Sequence, residues 1–156
     1  MHDPIAIFLK EHDEALLHLE KLKRTAVEIK KIGLNNKLLK QLEGSLQFIE
    51  EEVMVHNLKE EKALFPVIEK FVEGPTISLK DDHAKMFKLY KKLIRSLKVL
   101  KELPNDLVSR TELFDASNEI VQLMVNHIHK ENYILFPLVK KFLSKKELKE
   151  VFSKMI

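Results

Sequence analysis

An all-α fold is predicted for this chain: an up-down-up-down antiparallel four-helix bundle with a short C-terminal fifth helix. Three observations predict it. Apolar residues recur at three- and four-residue spacing almost throughout the 156 residues. Leu, Lys, Glu and Ile dominate, with only three glycines and five prolines to interrupt them. Turn signals cut the pattern into four long pieces joined by short connections, and short connections between long helices favour antiparallel neighbours.

Asp3-Pro4 reads as an N-cap with proline in the first helical position, which opens a helix over 4–32. Gly33-Leu34-Asn35-Asn36 ends it, and a second helix runs over 37–72. Glu73-Gly74-Pro75-Thr76 separates that helix from a third over 77–102. Leu103-Pro104-Asn105-Asp106 then leads into a fourth over 106–142. Ser144 followed by Glu147 is a capping box for a fifth helix over 145–154. Its apolar strip (Leu148, Val151, Phe152, Met155) is expected to pack on its own bundle rather than on another chain. Pro66 and Pro137 lie inside the second and fourth helices, where proline deletes a hydrogen bond. The apolar pattern resumes after each, so two kinked helices are expected rather than two extra turns.

The length fits one domain, 1–156, with internal duplication into halves of about 5–73 and 76–144. There is no cysteine, hence no disulfide, thiolate metal site or Fe–S ligand. No apolar run approaches a membrane span. The first residues reach charge too soon for a secretion signal, so a cytoplasmic location is expected. The 27 basic and 24 acidic residues are interspersed. Pairs such as Lys91-Lys92 and Lys145-Lys146 read as solvated faces, and a nucleic-acid surface is not expected. A monomer or weak homo-oligomer is expected.

The chemistry lies in the duplication. His12, His56, Glu60 and Pro66 recur as His83, His127, Glu131 and Pro137, each 71 residues further on. The stretch from His56 to Leu64-Phe65-Pro66 aligns without a gap to that from His127 to Leu135-Phe136-Pro137. A duplicated fold explains repeated apolar residues but not repeated imidazoles and carboxylates. Four histidines and two glutamates are the ligand inventory of a two-metal site, and imidazole plus carboxylate without thiolate suits iron, less specifically manganese or zinc.

The spacing predicts that the six residues meet. Residues equally far from a shared turn reach the same height on two antiparallel helices. The midpoint of His12 and His56 is position 34, in the first turn; that of His83 and His127 is 105, in the third. Glu60 and His83 have their midpoint just before Gly74. The common level is then roughly 33 Å from the first and third turns and about half that from the middle turn, at 1.5 Å rise per residue. The site is expected off-centre, towards the middle turn and both termini. In His56-x-x-x-Glu60 and His127-x-x-x-Glu131 the pair sits one turn apart on one face. Each imidazole can bind one ion while the carboxylate reaches a second, so two such pairs can supply two bridging carboxylates.

Other residues have plainer readings. Leu64-Phe65 and Leu135-Phe136 read as core, or as the lining of a dry gas path. His18 reads as surface or as lying behind the ligands, His129 as facing away, and His2 as an exposed terminus. Glu61 neighbours Glu60, but its repeat partner is Asn132, which argues against a shared metal role. Glu52 reads as solvated, with a role beside the ligands as the alternative. Tyr90 reads as core packing, with proton donation near the site as the alternative.

The pattern resembles the hemerythrin-like family of HHE cation-binding domains over residues from about 5 to 142: a His in helix one, His-x-x-x-Glu in helix two, and the same again in helices three and four, with Leu-Phe-Pro after each Glu. The resemblance implies a non-haem di-iron site with an oxo or hydroxo bridge. By it, His12 and His56 bind one iron, His83 and His127 the other, and Glu60 and Glu131 bridge both. Two departures separate this chain from oxygen carriers of the family. Carriers have a fifth His one turn along helix three, where this chain has Phe87, and an Asp at His-x4-Asp where it has Glu131 at His-x3-Glu. With no residue in that gap, both ions would keep an open position, which favours exchange and chemistry with O2, peroxide or NO.

The residues leave several functions standing. One is a di-iron module that binds or senses O2 or NO, or responds to iron. Another is an enzyme that removes peroxide or NO at the same cluster. A third, implied by the resemblance, is iron donation in repair of damaged iron centres; the forms associated with repair carry an extra N-terminal cysteine-bearing domain, which this sequence lacks. A metal-free helical scaffold is the fourth.

Overall fold

The computed structural model describes residues 3–156; His2 lies outside them. Four main helices form a bundle and a short fifth closes one end. α1 (Pro4–Ile32) starts where the Asp3 carboxylate accepts from the Ile5 N–H, with Pro4 in the first turn. α2 covers 36–68, α3 is Pro75–Glu102, α4 covers 107–142 and α5 is Lys145–Met155. Asn35, Asp106 and Ser144 cap α2, α4 and α5 through their side chains, and Ser144 with Glu147 completes the expected capping box.

α2 stops at Ile68, four residues before the expected end, and the chain turns through 69–71. Pro75 then opens α3 directly after Gly74, whose φ of 107° turns the chain in a region that disfavours side chains. α2 and α4 stay helical through their prolines by a local change of winding. Glu60–Leu64 and Glu131–Leu135 are π-helical turns, in which the Phe65 and Phe136 N–H groups reach back five residues to the carbonyls of Glu60 and Glu131. The extra residue per turn accommodates a ring that has no N–H to donate and would crowd the carbonyl four residues back. A third π turn, Ile49–Val53, lies just before His56 and contains no proline.

The first and third turns share one end of the bundle. The Leu34 N–H donates to the Pro104 carbonyl, and Arg110 donates to the last carbonyls of α1, Ile29 and Lys30. From that end inward runs the larger apolar cluster, with Leu22, Ile29, Leu42, Leu93, Leu113 and Ile120 at its centre. A smaller cluster fills the other end, around Ile5, Phe8, Phe65, Leu79, Phe136 and Val151. α5 packs on its own bundle through Val151, flanked by Leu148 and Met155. The predicted ligands belong to neither cluster; they lie between them, nearer the middle turn and the termini.

Candidate metal centre

All four helices deliver a histidine to this level, and all six predicted residues are buried there. The ligand atoms form two adjoining groups: His12, His56, Glu60 and Glu131 in one, and Glu60, His83, His127 and Glu131 in the other, with the atoms of each group within 4.8 Å of one another. Among the described residues no further His, Asp or Glu joins either group. The two carboxylates span both. Glu60 Oε1 lies 3.4 Å from His56 Nε2 and 3.3 Å from His83 Nε2. Glu131 Oε1 lies 2.9 Å from His12 Nε2 and 3.5 Å from His127 Nε2.

Each imidazole is aimed by a partner on its outer nitrogen. Nδ1 of His56 donates to Glu11 at 3.0 Å, of His127 to Asp82 at 3.0 Å, of His83 to Glu61 at 3.1 Å and of His12 to the Asn132 side-chain oxygen at 2.7 Å. A carboxylate only accepts, so Nδ1 carries the hydrogen and Nε2 is left facing inward. Lys59 and Lys130 brace the first two acceptors, at 2.9 Å from Glu11 and 2.6 Å from Asp82. These contacts hold both acids below the usual carboxylate range although burial works the other way. On the inner side, Phe136 stacks on His12 with ring centres 5.5 Å apart, and Phe65 on His83 at 5.9 Å.

The arrangement calls for positive charge at its centre. None of the four carboxylate oxygens of Glu60 and Glu131 has a hydrogen-bond partner, although both residues are 0% exposed. The imidazole contacts are close enough for ion pairing but lack hydrogen-bond geometry. Buried carboxylates left in this way are costly unless a cation or a proton compensates them. The facing nitrogens, His12 with His56 and His83 with His127, are each 3.2 Å apart. Two imidazole nitrogens that each sit about 2.1 Å from one ion lie about 3.0–3.4 Å apart at ordinary bond angles. The donor set therefore fits two ions side by side.

Without metal, protons are what compensates. Burial first, then the Glu131 charge, lift the Glu60 carboxyl from 4.5 to about 7. Burial acts on Glu131 in the same sense, but its contacts with Glu60, His12, His127 and His56 overcome it and hold that carboxyl well below its ordinary value. The opposite shifts are those of two acids in one dry site, where burial and mutual repulsion favour a proton on Glu60 over a second charge. Burial disfavours a charged His56, yet Glu60, Glu11 and Glu131 outweigh it and raise its affinity for a proton well above the ordinary imidazole value.

The remaining readings resolve as follows. Leu64, Phe65, Leu135 and Phe136 are buried in the smaller cluster. His18 stacks on Phe48 with centres 3.8 Å apart, and His129 is exposed beside Tyr133. Tyr90 packs partly buried against the larger cluster, and burial first, then the Glu50 charge, raises its phenol. Glu52 is exposed but borders a small cavity of about 30 Å³ that reaches His12 and His56. Phe87 does not line the site: it is 49% exposed, with Lys91 Nζ 4.7 Å over its ring. On α3 it is Met86, three residues after His83, that borders the cavity beside the ligands. Sequence reasoning missed Glu11, Asp82, Lys59 and Lys130, and it set Glu61 and Asn132 apart. Glu11 with Asp82, Lys59 with Lys130, and Glu61 with Asn132 all obey the 71-residue offset. Extending the repeat by one residue on either side of the ligands would have found them.

Fold and site together define a helical bundle closed around two adjoining His/His/Glu/Glu groups. The chain belongs to the hemerythrin HHE cation binding domain family, whose pattern matches residues 3–139. Among curated proteins it is similar to the iron-sulfur cluster repair protein YtfE of Cronobacter sakazakii, 26% identical over 136 residues, which cover 84% of this chain and 62% of that protein. The YtfE proteins of Escherichia coli O139:H28 and Shigella boydii serotype 18 are each 24% identical with the same coverage. The chain thus spans about three fifths of the length of the curated relatives it matches. No helix among the described residues is long and apolar enough to cross a membrane.

Proposed function

We propose that this chain holds two iron ions and gives up iron for the repair of damaged iron centres. His12 and His56 would hold one ion, His83 and His127 the other, with Glu60 and Glu131 shared between them and an oxo or hydroxo bridge as the family implies. The observation that carries the two-ion part is the set of four buried carboxylate oxygens without hydrogen-bond partners, ringed by four Nε2 atoms. The likeness to proteins named for iron–sulfur cluster repair supports the role. When bound, iron supplies exchangeable coordination and redox chemistry. The protein's own part is to orient the imidazoles through Nδ1, to keep water from the carboxylates, and to replace leaving cations with protons on Glu60 and His56. The test is to prepare the protein anaerobically, count its iron, and mix it with a cluster-depleted iron–sulfur protein and sulfide. Two irons per chain and recovery of the cluster's absorption are expected. Protein that holds two irons but restores no cluster would exclude the donor role.

A second reading, binding or sensing of O2 or NO, rests on the cavity beside His12 and His56. Ala15, Val53, Met86 and Met124 give it apolar walls, and about 30 Å³ is room for a water or a diatomic molecule. Removal of peroxide or NO would use the same opening. A reversible change in the absorption spectrum with O2 or NO, without loss of iron, would favour this reading over donation.

A further inference from the structure

The two halves match in their ligands but differ in one outer partner. Three of the four histidines donate Nδ1–H to carboxylates, those of Glu11, Glu61 and Asp82; His12 alone donates to an amide, Asn132. The lysines do not even this out. Lys59 offsets Glu11 on one side and Lys130 offsets Asp82 on the other, while the described structure gives Glu61 no cation beyond His83 itself. The outer ring is therefore neutral around His12 and His56, and carries one negative charge around His83 and His127, that of Glu61, which is 38% exposed and partly screened but hydrogen-bonded directly to His83. A carboxylate on the outer nitrogen makes an imidazole a stronger donor to a metal, and an amide does this less. The cavity of about 30 Å³ does not separate the two positions: it touches His12 and His56 and also His127, and Ala15, Val53 and their repeat counterparts Met86 and Met124 all line it. Glu14 and Glu52 also border it; both are exposed, where water and salt screen their charge, and neither hydrogen-bonds an imidazole.

We propose that Asn132 makes the two metal positions unequal, so that the ion held by His12 and His56 is the weaker-bound one and leaves first. Asn132 acts here as a positioning residue, through His12. The inference rests on the two-ion centre and deepens the donor reading, because it names the ion that is available for donation.

The experiment follows release of Fe(II) from the anaerobically loaded full chain into a coloured ferrous chelator. The parent should release its two irons in two phases of equal size. Asn132→Asp keeps the shape of the side chain and supplies the missing carboxylate; it should slow the fast phase about tenfold, the lower end of the usual effect of such outer partners. Glu61→Gln should instead hasten the slow phase, drawing the two rates together. A merely structural role for Asn132 would alter both phases alike or lower the iron count. A single phase in the parent, or a fast phase unmoved by Asn132→Asp with two irons still bound, overturns the inference. If Asn132→Asp does not fold, Glu61→Gln decides alone: an unchanged slow phase rejects the proposal. The chelator measures release only, so two phases without cluster repair would sink the donor role and leave the inequality standing. Cluster repair with a single release phase would do the reverse.

Discussion

The two glutamates carry opposite duties with and without metal. In the proposed centre two cations would share them and offset their charge; alone they face each other in a dry site with no hydrogen bond. Replacing Glu60 by Gln removes a charge that only metal or a proton can offset. Glu60→Gln is therefore expected to raise the melting temperature of the metal-free protein while lowering the iron it takes up. An unchanged iron count would remove Glu60 from the ligand set. The same residue gives a pH dependence. Its carboxyl rises from 4.5 to about 7 on folding, so the folded chain holds an extra proton between those values. That stabilisation is complete below the unfolded value and disappears as pH rises through the folded one; His56, also raised, acts in the same sense. Metal-free protein should melt lower at about pH 7.5 than at about pH 5. Glu60→Gln should flatten this slope, and a slope that persists unchanged in the variant would refute the assignment.

Two glycines test how the elements are joined. Gly33 closes α1 at φ 84°, where an added Cβ would collide with Asn105 Oδ1 and come within 2.9 Å of the Pro104 carbonyl. Gly44 sits in the middle of α2 with nothing within 4 Å of such a Cβ. Gly33→Ala should destabilise the bundle by about 1–3 kcal/mol, since it adds backbone strain and separates the two turns that meet there. Gly44→Ala should stabilise it by about 0.5–1 kcal/mol through helix propensity. Denaturant titration measures both; equal effects would contradict the tight packing of the first and third turns. The helix count, the fifth helix and its capping box, and the turns were all legible from spacing and cap residues. The winding at the prolines was not. Sequence shows that a helix resumes after Pro66 and Pro137, but a kink and a π turn both allow that, and only the i to i−5 bonds to Glu60 and Glu131 distinguish them.

At the scale of the molecule, the centre divides the apolar interior into two clusters, neither of which contains a ligand. The bundle should therefore outlast its metal. Removing the ions with a chelator is expected to lower the melting temperature, because ions that bind only the folded state stabilise it by mass action, while the far-UV circular dichroism stays helical. A chain that unfolds at room temperature on losing its metal would show instead that the two clusters cannot hold the fold alone.

The 71-residue repeat and the turn midpoints determined by themselves that four histidines and two glutamates share one level of a four-helix bundle, because helical rise and periodicity are properties of the local chain. Only the tertiary structure decided which side chains stand behind the ligands. The acceptor on each Nδ1 comes from a different helix, and Glu61 and Asn132 serve histidines of the opposite half, so their partnership depends on how the helices cross. The same holds for Phe87. Helical periodicity leaves the residue four after His83 within about 40° of the ligand's direction, yet the packing of α3 against its neighbours leaves Phe87 49% exposed and brings Met86 to the cavity beside the site.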